Sequence, residues 1–133
     1  MPSKAGLLAQ RVKSFATRIV KFARRLPGDP TAQEISRQLV RAGTGESANY
    51  HAARRGRSRA EFIAKLGTVA EEADETEHWL AIIDDSSLVT TAAALKELAW
   101  LRGEAAELRA IFVQSVKTAR ANYAQARGMK IDR

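Results

Sequence analysis

The sequence of 133 residues is poor in the residue types that build disulfides, metal centres and catalytic sites. It has no cysteine, which excludes disulfides and thiolate metal ligands. It has only three prolines to interrupt helices, and only two histidines for acid–base chemistry. No apolar run approaches the roughly 20 residues that span a bilayer, and the N-terminus lacks the short apolar core of a signal peptide. We therefore expect a soluble cytoplasmic protein.

The residues that are abundant favour helix, and their charges are unevenly distributed. Alanine, leucine, arginine and glutamate dominate, and the length suits one domain. The net charge is +7. Residues 1–26 carry seven basic residues and no acid, whereas residues 71–85 carry seven acids and no base. The chain is therefore expected to be a strong dipole.

Apolar residues recur at alternating intervals of four and three, which predicts four helices over about 6–26, 31–55, 58–84 and 90–124. Such heptad spacing favours left-handed packing, and short connections favour antiparallel neighbours. We predict one all-α domain over residues 1–124, an antiparallel up-down-up-down four-helix bundle, left-handed. Residues 125–133 are predicted to be a basic, disordered tail.

Two helix starts have the spacing of a capping box, in which a hydroxyl residue precedes a glutamate by three positions. They are Thr31 with Glu34, and Ser58 with Glu61. The same spacing predicts that the second helix begins near Thr31 and the third near Ser58.

The second helix breaks the apolar pattern in its middle. Continuing its stripe places Glu46 and Asn49 where the other helices have leucine or phenylalanine. Either the register shifts, or polar groups are buried. Gly43 and Gly45 lie beside them and are interpreted as small residues that permit close helix approach, and Asn49 as a buried polar group that sets the register.

Catalytic and metal-binding patterns are weak. Glu75 and His78 have the Glu-x-x-His spacing of carboxylate-bridged di-metal bundles, but those need two such motifs and two further glutamates. Ser47 and His51 could contact on one helix, yet they lack a third group and an oxyanion hole. We expect no enzymatic activity, no metal site and no cofactor.

Arginines give the stronger signal, because their guanidinium groups suit phosphate oxygens. One interpretation is contact with the backbone of RNA or another nucleic acid, without sequence readout. Few aromatics are interleaved with these arginines, so base stacking is not expected. The alternative is an oligomeric scaffold or adaptor whose arginines contact only subunits or a protein partner. The candidate residues are Arg11, Arg18, Arg25, Arg37, Arg41, Arg54, Arg55, Arg57 and Arg59.

Trp79 and Trp100 lie beside or outside the apolar stripes, and an outward tryptophan is more often a subunit contact than part of a cofactor site. With Glu72, they are the candidate oligomer interface. The dipolar charge pattern favours head-to-tail association, which closes a ring when repeated around an axis.

Three segments resemble the bacterial four-helix bundle family encoded in intervening sequences of 23S ribosomal RNA genes. They are Arg41–Asn49 with Tyr50, then Arg57-Ser58-Arg59-Ala60-Glu61-Phe62-Ile63, then Glu71-Glu72-Ala73-Asp74-Glu75-Thr76-Glu77-His78-Trp79-Leu80. The resemblance spans about residues 15–120. It implies an antiparallel bundle that assembles as a homopentamer, similar to the accessory protein of diversity-generating retroelements, and it brings no catalytic residues.

The chain departs from that family's pattern at two places. The family favours serine followed by an aliphatic residue where this chain has Gly45-Glu46, and an acid where it has Ala52. Glu46 therefore places a charge in a normally apolar position.

Overall fold

A computed structural model describes residues 1–128 and contains four α-helices and, within that range, no strand. The helices are α1 (Lys4–Ala23), α2 (Pro30–Arg54), α3 (Arg59–Asp85) and α4 (Ala92–Ala126). The prediction of an all-α four-helix bundle is confirmed. Each helix begins and ends within three residues of its predicted range. The helix α4 continues two residues into the predicted tail, of which residues 129–133 lie outside the described residues.

Each helix begins at a side chain that accepts a hydrogen bond from the backbone N–H three residues later. The four N-cap residues are Ser3, Asp29, Ser58 and Thr91. The predicted cap at Thr31 is therefore wrong. Asp29 Oδ1 accepts from the Ala32 N–H at 3.1 Å, and Pro30 supplies a φ angle suited to the first helical turn.

The predicted capping residue of α3 is confirmed. Ser58 Oγ accepts from the Glu61 N–H at 3.1 Å. The Glu61 carboxylate accepts from the Arg57 N–H at 3.3 Å, one residue before the position that the capping box prescribes. The start of α3 is thus held by two side-chain contacts, one from Ser58 and one from Glu61.

The core consists of the apolar stripes of the four helices. Helix α1 packs against α2 and α4, and α3 packs against α2 and α4, so each helix has two neighbours. The largest fully buried side chains are those of Phe15, Phe22, Phe112, Ile19, Leu39, Leu66, Leu80, Ile83, Leu98, Leu101 and Leu108, together with Glu46.

The irregular middle of α2 combines both alternatives that the sequence left open. Glu46 is fully buried, and the register then moves by one residue, so that Tyr50 and Ala53 enter the core. Asn49 is only half-buried, and its amide donates to the Gly45 carbonyl of its own helix at 2.9 Å. Glu46, not Asn49, is the buried polar residue, so Asn49 makes no cross-helix bond that could set the register.

Candidate nucleic-acid interface

Arg11 on α1 is held by acids of α4. Its guanidinium donates two hydrogen bonds to Glu104, at 2.9 and 2.6 Å, and lies 3.2 Å from Glu107. Such a bidentate pair is among the stronger charge-assisted contacts, and Glu104 is largely shielded from solvent. Arg11 therefore fastens α1 to α4 and is not available for phosphate without losing this pair.

Arg18, one heptad further along α1, makes the same kind of contact. It donates to Glu97 at 3.1 and 2.5 Å, and its guanidinium carbon lies 3.4 Å from the centre of the Trp100 ring. The hydrogen bond to Glu97 raises the pKa of Arg18 and lowers the pKa of Glu97. Arg18 is thus engaged by α4 twice, through the N–H edge of its guanidinium with Glu97 and through one face with Trp100.

The predicted arginines of α2 are also paired. Arg37 contacts Glu34 at 2.5 Å, on an exposed part of the helix. Arg41 reaches α3, where it lies 3.7 Å from Glu72 and 3.4 Å from Glu75. Arg25 follows the end of α1, is exposed, and makes no ion pair with any acid of residues 1–128.

The four arginines around the turn between α2 and α3 differ from the paired arginines Arg11, Arg18, Arg37 and Arg41. All four are exposed, and none forms an ion pair with an acid in the described part of the chain. We call this group the basic turn. It consists of Arg54, Arg55, Arg57 and Arg59.

Gly56 makes the basic turn tight. A β-carbon on Gly56 would lie 3.1 Å from the Ala53 carbonyl oxygen and 3.3 Å from the Phe62 nitrogen. These are backbone atoms that cannot move aside cheaply, so the close approach of the end of α2 to the start of α3 requires glycine here. The tight turn brings the four arginines into a short stretch of surface.

A cleft of about 500 Å³ lies beside the basic turn, between it and the start of α1. Arg54, Arg57 and Arg59 line it together with Ala5, Ala53, Gly56, Ser58 and Phe62. The Arg54 guanidinium reaches towards α1, where its Nη2 lies 3.8 Å from the place that a β-carbon on Gly6 would occupy. Phe62 follows the apolar spacing of α3, which predicts a core position and does not indicate this cleft, although its position three residues after Arg59 could have indicated it.

Four of the seven acids in segment 71–85 form ion pairs within the chain. Besides the contacts of Arg41, Arg109 of α4 donates to Glu77, and Arg102 of α4 contacts Asp84 at 2.5 Å. The acidic face of α3 therefore meets basic residues of its own neighbours, α2 and α4.

The three predicted interface residues lie in different surroundings. Trp79 is half-buried against the core and lines a cleft with the start of α2. The Glu72 side chain is 17% exposed and contacts Arg41. Trp100 is 42% exposed, the most accessible of the three. Among these residues, Trp100 presents the surface best suited to another subunit.

Glu46 lies in the middle of the bundle with 0% of its surface exposed, and neither carboxyl oxygen has a hydrogen-bond partner among residues 1–128. Burial raises its pKa to about 8, with smaller contributions from the negative charges of Glu104 and Glu72. A third buried oxygen without a hydrogen bond in the described residues belongs to Glu72, whose pKa is also raised by burial. Glu46 is therefore protonated in the folded protein at neutral pH.

The residues considered for metal or hydrolytic chemistry are not assembled into a site. Glu75 and His78 are both exposed, and Ser47 and His51 line an open groove of about 400 Å³ between α1 and α2. Among residues 1–128, no group of three acidic or histidine side chains is arranged to hold a metal ion. No helix in this range has an apolar stretch long enough to cross a membrane.

These features define a small four-helix bundle with a cluster of unpaired arginines at one turn. The family model described as 23S rRNA-intervening sequence protein matches residues 7–114, and the chain belongs to this family. The resemblance seen in the sequence is thus confirmed.

The fold is also similar to a solved structure described as a protein with unknown function from the S23 ribosomal protein family of Bacteroides thetaiotaomicron VPI-5482. The two chains are 28% identical, with a TM-score of 0.75 over 86% of this chain and 99% of the other. No curated protein is significantly similar to the chain.

Proposed function

We propose that the protein is a non-enzymatic RNA-binding protein, which contacts the phosphate backbone of RNA or another nucleic acid through the basic turn, without sequence readout. The observation that carries this proposal is the difference between two groups of arginines. Those of the basic turn are exposed and unpaired within residues 1–128, whereas Arg11, Arg18, Arg37 and Arg41 are held by carboxylates.

Availability decides which arginines can bind a phosphate. A guanidinium already bonded to a carboxylate must give up that contact first, and for Arg11 this would leave the shielded Glu104 carboxylate without its partner. An exposed, unpaired guanidinium gives up only water. The basic turn is therefore the preferred contact, and the arginine rows along α1 and α2 contribute mainly to packing.

We further propose a cytoplasmic homopentamer of antiparallel up-down-up-down, left-handed bundles. The ion pairs between α1 and α4 support an antiparallel arrangement of these two helices. Arg11 contacts Glu104, whereas Arg18, later in α1, contacts Glu97, which is earlier in α4. The exposed Trp100 supports self-association. A ring would repeat the basic turn once in each subunit, so that one RNA could contact several turns and bind with increased avidity.

The test compares two variants that remove the same charge. One replaces Arg54, Arg55, Arg57 and Arg59 with glutamine; the matched control replaces the exposed Lys13, Lys21, Arg24 and Lys96. RNA affinity is measured against salt concentration, where each phosphate neutralised on duplex adds about 0.9 to the log–log slope. We expect the basic-turn variant to lose affinity and up to about four units of slope per chain, and the control to lose little.

Two results would contradict the proposal. Equal losses in both variants would mean that net charge, not the basic turn, attracts RNA. Absence of RNA binding by the unmodified protein at about 50 mM salt, where phosphate contacts are strong, would reject nucleic-acid binding. In that case a scaffold for a protein partner, with the arginines as protein contacts, becomes the preferred function.

A further inference from the structure

We propose that the cleft beside the basic turn binds one unpaired nucleotide of single-stranded RNA, its phosphate among the arginines and its base against the Phe62 ring. The proposal rests on the RNA binding proposed above and names the form of RNA that this surface prefers. Two properties of the cleft carry it: its size and the arrangement of its lining.

The cleft has the size of a small-ligand site. Its volume of about 500 Å³ lies within the range of roughly 300 to 1,000 Å³ that such sites occupy. It is bounded on one side by Ala5 of α1 and on the other by Arg57 and Arg59 of the turn. A single nucleotide can enter such a space, whereas a helix or a folded domain can only cover it.

The lining separates charge from apolar surface. The arginines supply guanidinium groups for a phosphate, while Ala5, Ala53 and Phe62 supply apolar surface. Phe62 is half-buried and packs against the hydrophobic core, so its ring is held in place before any ligand arrives. A fixed aromatic ring beside a group of arginines is the combination that binds single-stranded nucleic acids, by base stacking and backbone attraction.

The position of Phe62 in the lining of the cleft selects against duplex RNA. In a duplex the bases are stacked and paired inside the helix, and the phosphates and sugars form the outer surface. A duplex can therefore contact the exposed arginines but cannot place a base on Phe62. An unpaired nucleotide can do both, because its base is free to leave the stack. We expect stacking to be tolerant of base identity, since every base has a flat face.

The test uses two variants and two RNA forms. Phe62→Leu removes the aromatic face but keeps an apolar side chain, and Ala5→Leu fills the cleft from an exposed position without changing charge. The probes are an unstructured single-stranded RNA of about ten nucleotides, a length that spans a typical single-strand site, and a duplex of the same sequence. We expect each variant to weaken single-strand binding, by roughly 5- to 150-fold for loss of one stacked base, and to leave duplex binding unchanged.

Ala110→Leu, at an exposed position of α4 outside the cleft, is the matched control for Ala5→Leu, and thermal unfolding checks that all variants fold. Inorganic polyphosphate, which has phosphates but no bases, is the competitor. Displacement of the single strand by polyphosphate from the unmodified protein as readily as from folded Phe62→Leu would overturn the nucleotide site, as would unchanged or equally weakened binding of both RNA forms by folded variants. In these cases RNA binding by the basic turn still stands, whereas no binding of either RNA by the unmodified protein would reject both proposals.

Discussion

At the scale of single residues, Glu46 is the position where the chain departs most from what a helical core requires. A charged carboxylate without hydrogen bonds is costly to bury, and such groups usually take up a proton instead. The raised pKa of Glu46 has this cause. The groups that face it are Glu72 of α3 and Glu104 of α4, the latter bound by Arg11 of α1. Both of these groups are acids, and the arginines that contact them, Arg11 and Arg41, are already engaged, so no free cation of residues 1–128 stabilises an ionised Glu46.

The raised pKa predicts how stability changes with pH. The folded protein keeps its proton on Glu46 up to about pH 8, whereas the unfolded chain releases it near pH 4.5. The stabilising effect of the proton is therefore fully present below about pH 4.5 and is lost as the pH rises towards 8. We expect the free energy of unfolding to fall by about 1.4 kcal/mol per pH unit from this residue. Urea unfolding at several pH values from 5 to about 8 measures it.

Glu46→Gln isolates this effect, because glutamine has nearly the same shape and no proton to lose. The slope of stability against pH should flatten in this variant, whatever its absolute stability. Glu71→Gln, at an exposed position of α3, is the control and should retain the slope of the unmodified protein. Parallel pH profiles for Glu46→Gln and the unmodified protein would show that Glu46 is ionised or solvated in the fold.

The sequence predicted correctly which residues are buried where the apolar spacing of a single helix decides their burial. The prediction was incomplete where a turn and two helices meet. The stripe positions Val12, Ile19 and Leu80 are fully buried as their spacing predicts. Phe62 also follows its stripe, yet it lies at the helix end, where the turn and α1 create a cleft that periodicity does not describe. Likewise, Arg11 and Arg18 were predicted to bind RNA, but each pairs with an acid that lies 79 or more residues away in the sequence.

At the scale of helices, the glycines of α2 and α4 have different surroundings. A β-carbon on Gly43 would lie 3.0 Å from Ile19 Cγ2, and Ile19 is a fully buried, β-branched residue of α1 with little freedom to move. Gly103 of α4 has nothing within 4 Å of the same position. The first glycine allows two helices to pack closely, whereas the second only weakens its own helix.

This difference gives a matched pair of substitutions. Gly103→Ala should raise the free energy of unfolding by about 1 kcal/mol, because alanine has the higher helix propensity. Gly43→Ala gains the same propensity but overpacks the contact with Ile19, at a cost of roughly 1–3 kcal/mol, so we expect no gain or a net loss. Chemical unfolding of both variants measures the two values. Equal stabilisation by both substitutions would mean that α1 and α2 can separate slightly without cost.

The apolar spacing of α2 alone does not decide which residue follows Glu46 into the core. Its stripe continues through Ala42 to Glu46 and then moves by one residue, so that Tyr50, not Asn49, reaches the core. The Tyr50 ring lies 5.2 Å from that of Phe112 in α4, a distance typical of favourable aromatic pairs. Burying Tyr50 keeps the hydrophilic amide of Asn49 partly in solvent. Whether Tyr50 or Asn49 enters the core therefore depends on the contact with α4, and the sequence of α2 alone carries no information about that contact.

At the scale of the whole molecule, folding partly cancels the separation of charge along the sequence. The basic helix α1 contacts acids of α4, and the acidic part of α3 contacts arginines of α2 and α4. The basic turn is a cluster that stays outside these pairs. The sequence suggested that the dipole drives head-to-tail association, but the internal pairs leave less charge for that purpose. We therefore expect subunit contacts to depend more on the apolar surface around Trp100.

Salt concentration distinguishes an oligomer held together by charge from one held together by apolar contacts. Salt screens exposed charges over about 10 Å at 0.1 M and has little effect on apolar contacts. We expect the oligomer mass from sedimentation equilibrium to be the same at about 50 mM and about 500 mM salt, while RNA binding is lost at the higher concentration. Trp100→Ala should lower the mass, and Leu7→Ala, at another exposed apolar position, should not.

Because Trp100 also lies against Arg18, the unfolding midpoint of Trp100→Ala must be measured beside its mass. A lower mass in a variant that is still folded identifies Trp100 as a subunit contact. An oligomer of the unmodified protein that dissociates at high salt would instead assign the interface to the exposed acids of α3, Glu71, Asp74 and Asp85, and to a basic surface of the next subunit. The basic turn would then be the first such surface to consider, and RNA and the neighbouring subunit would compete for it.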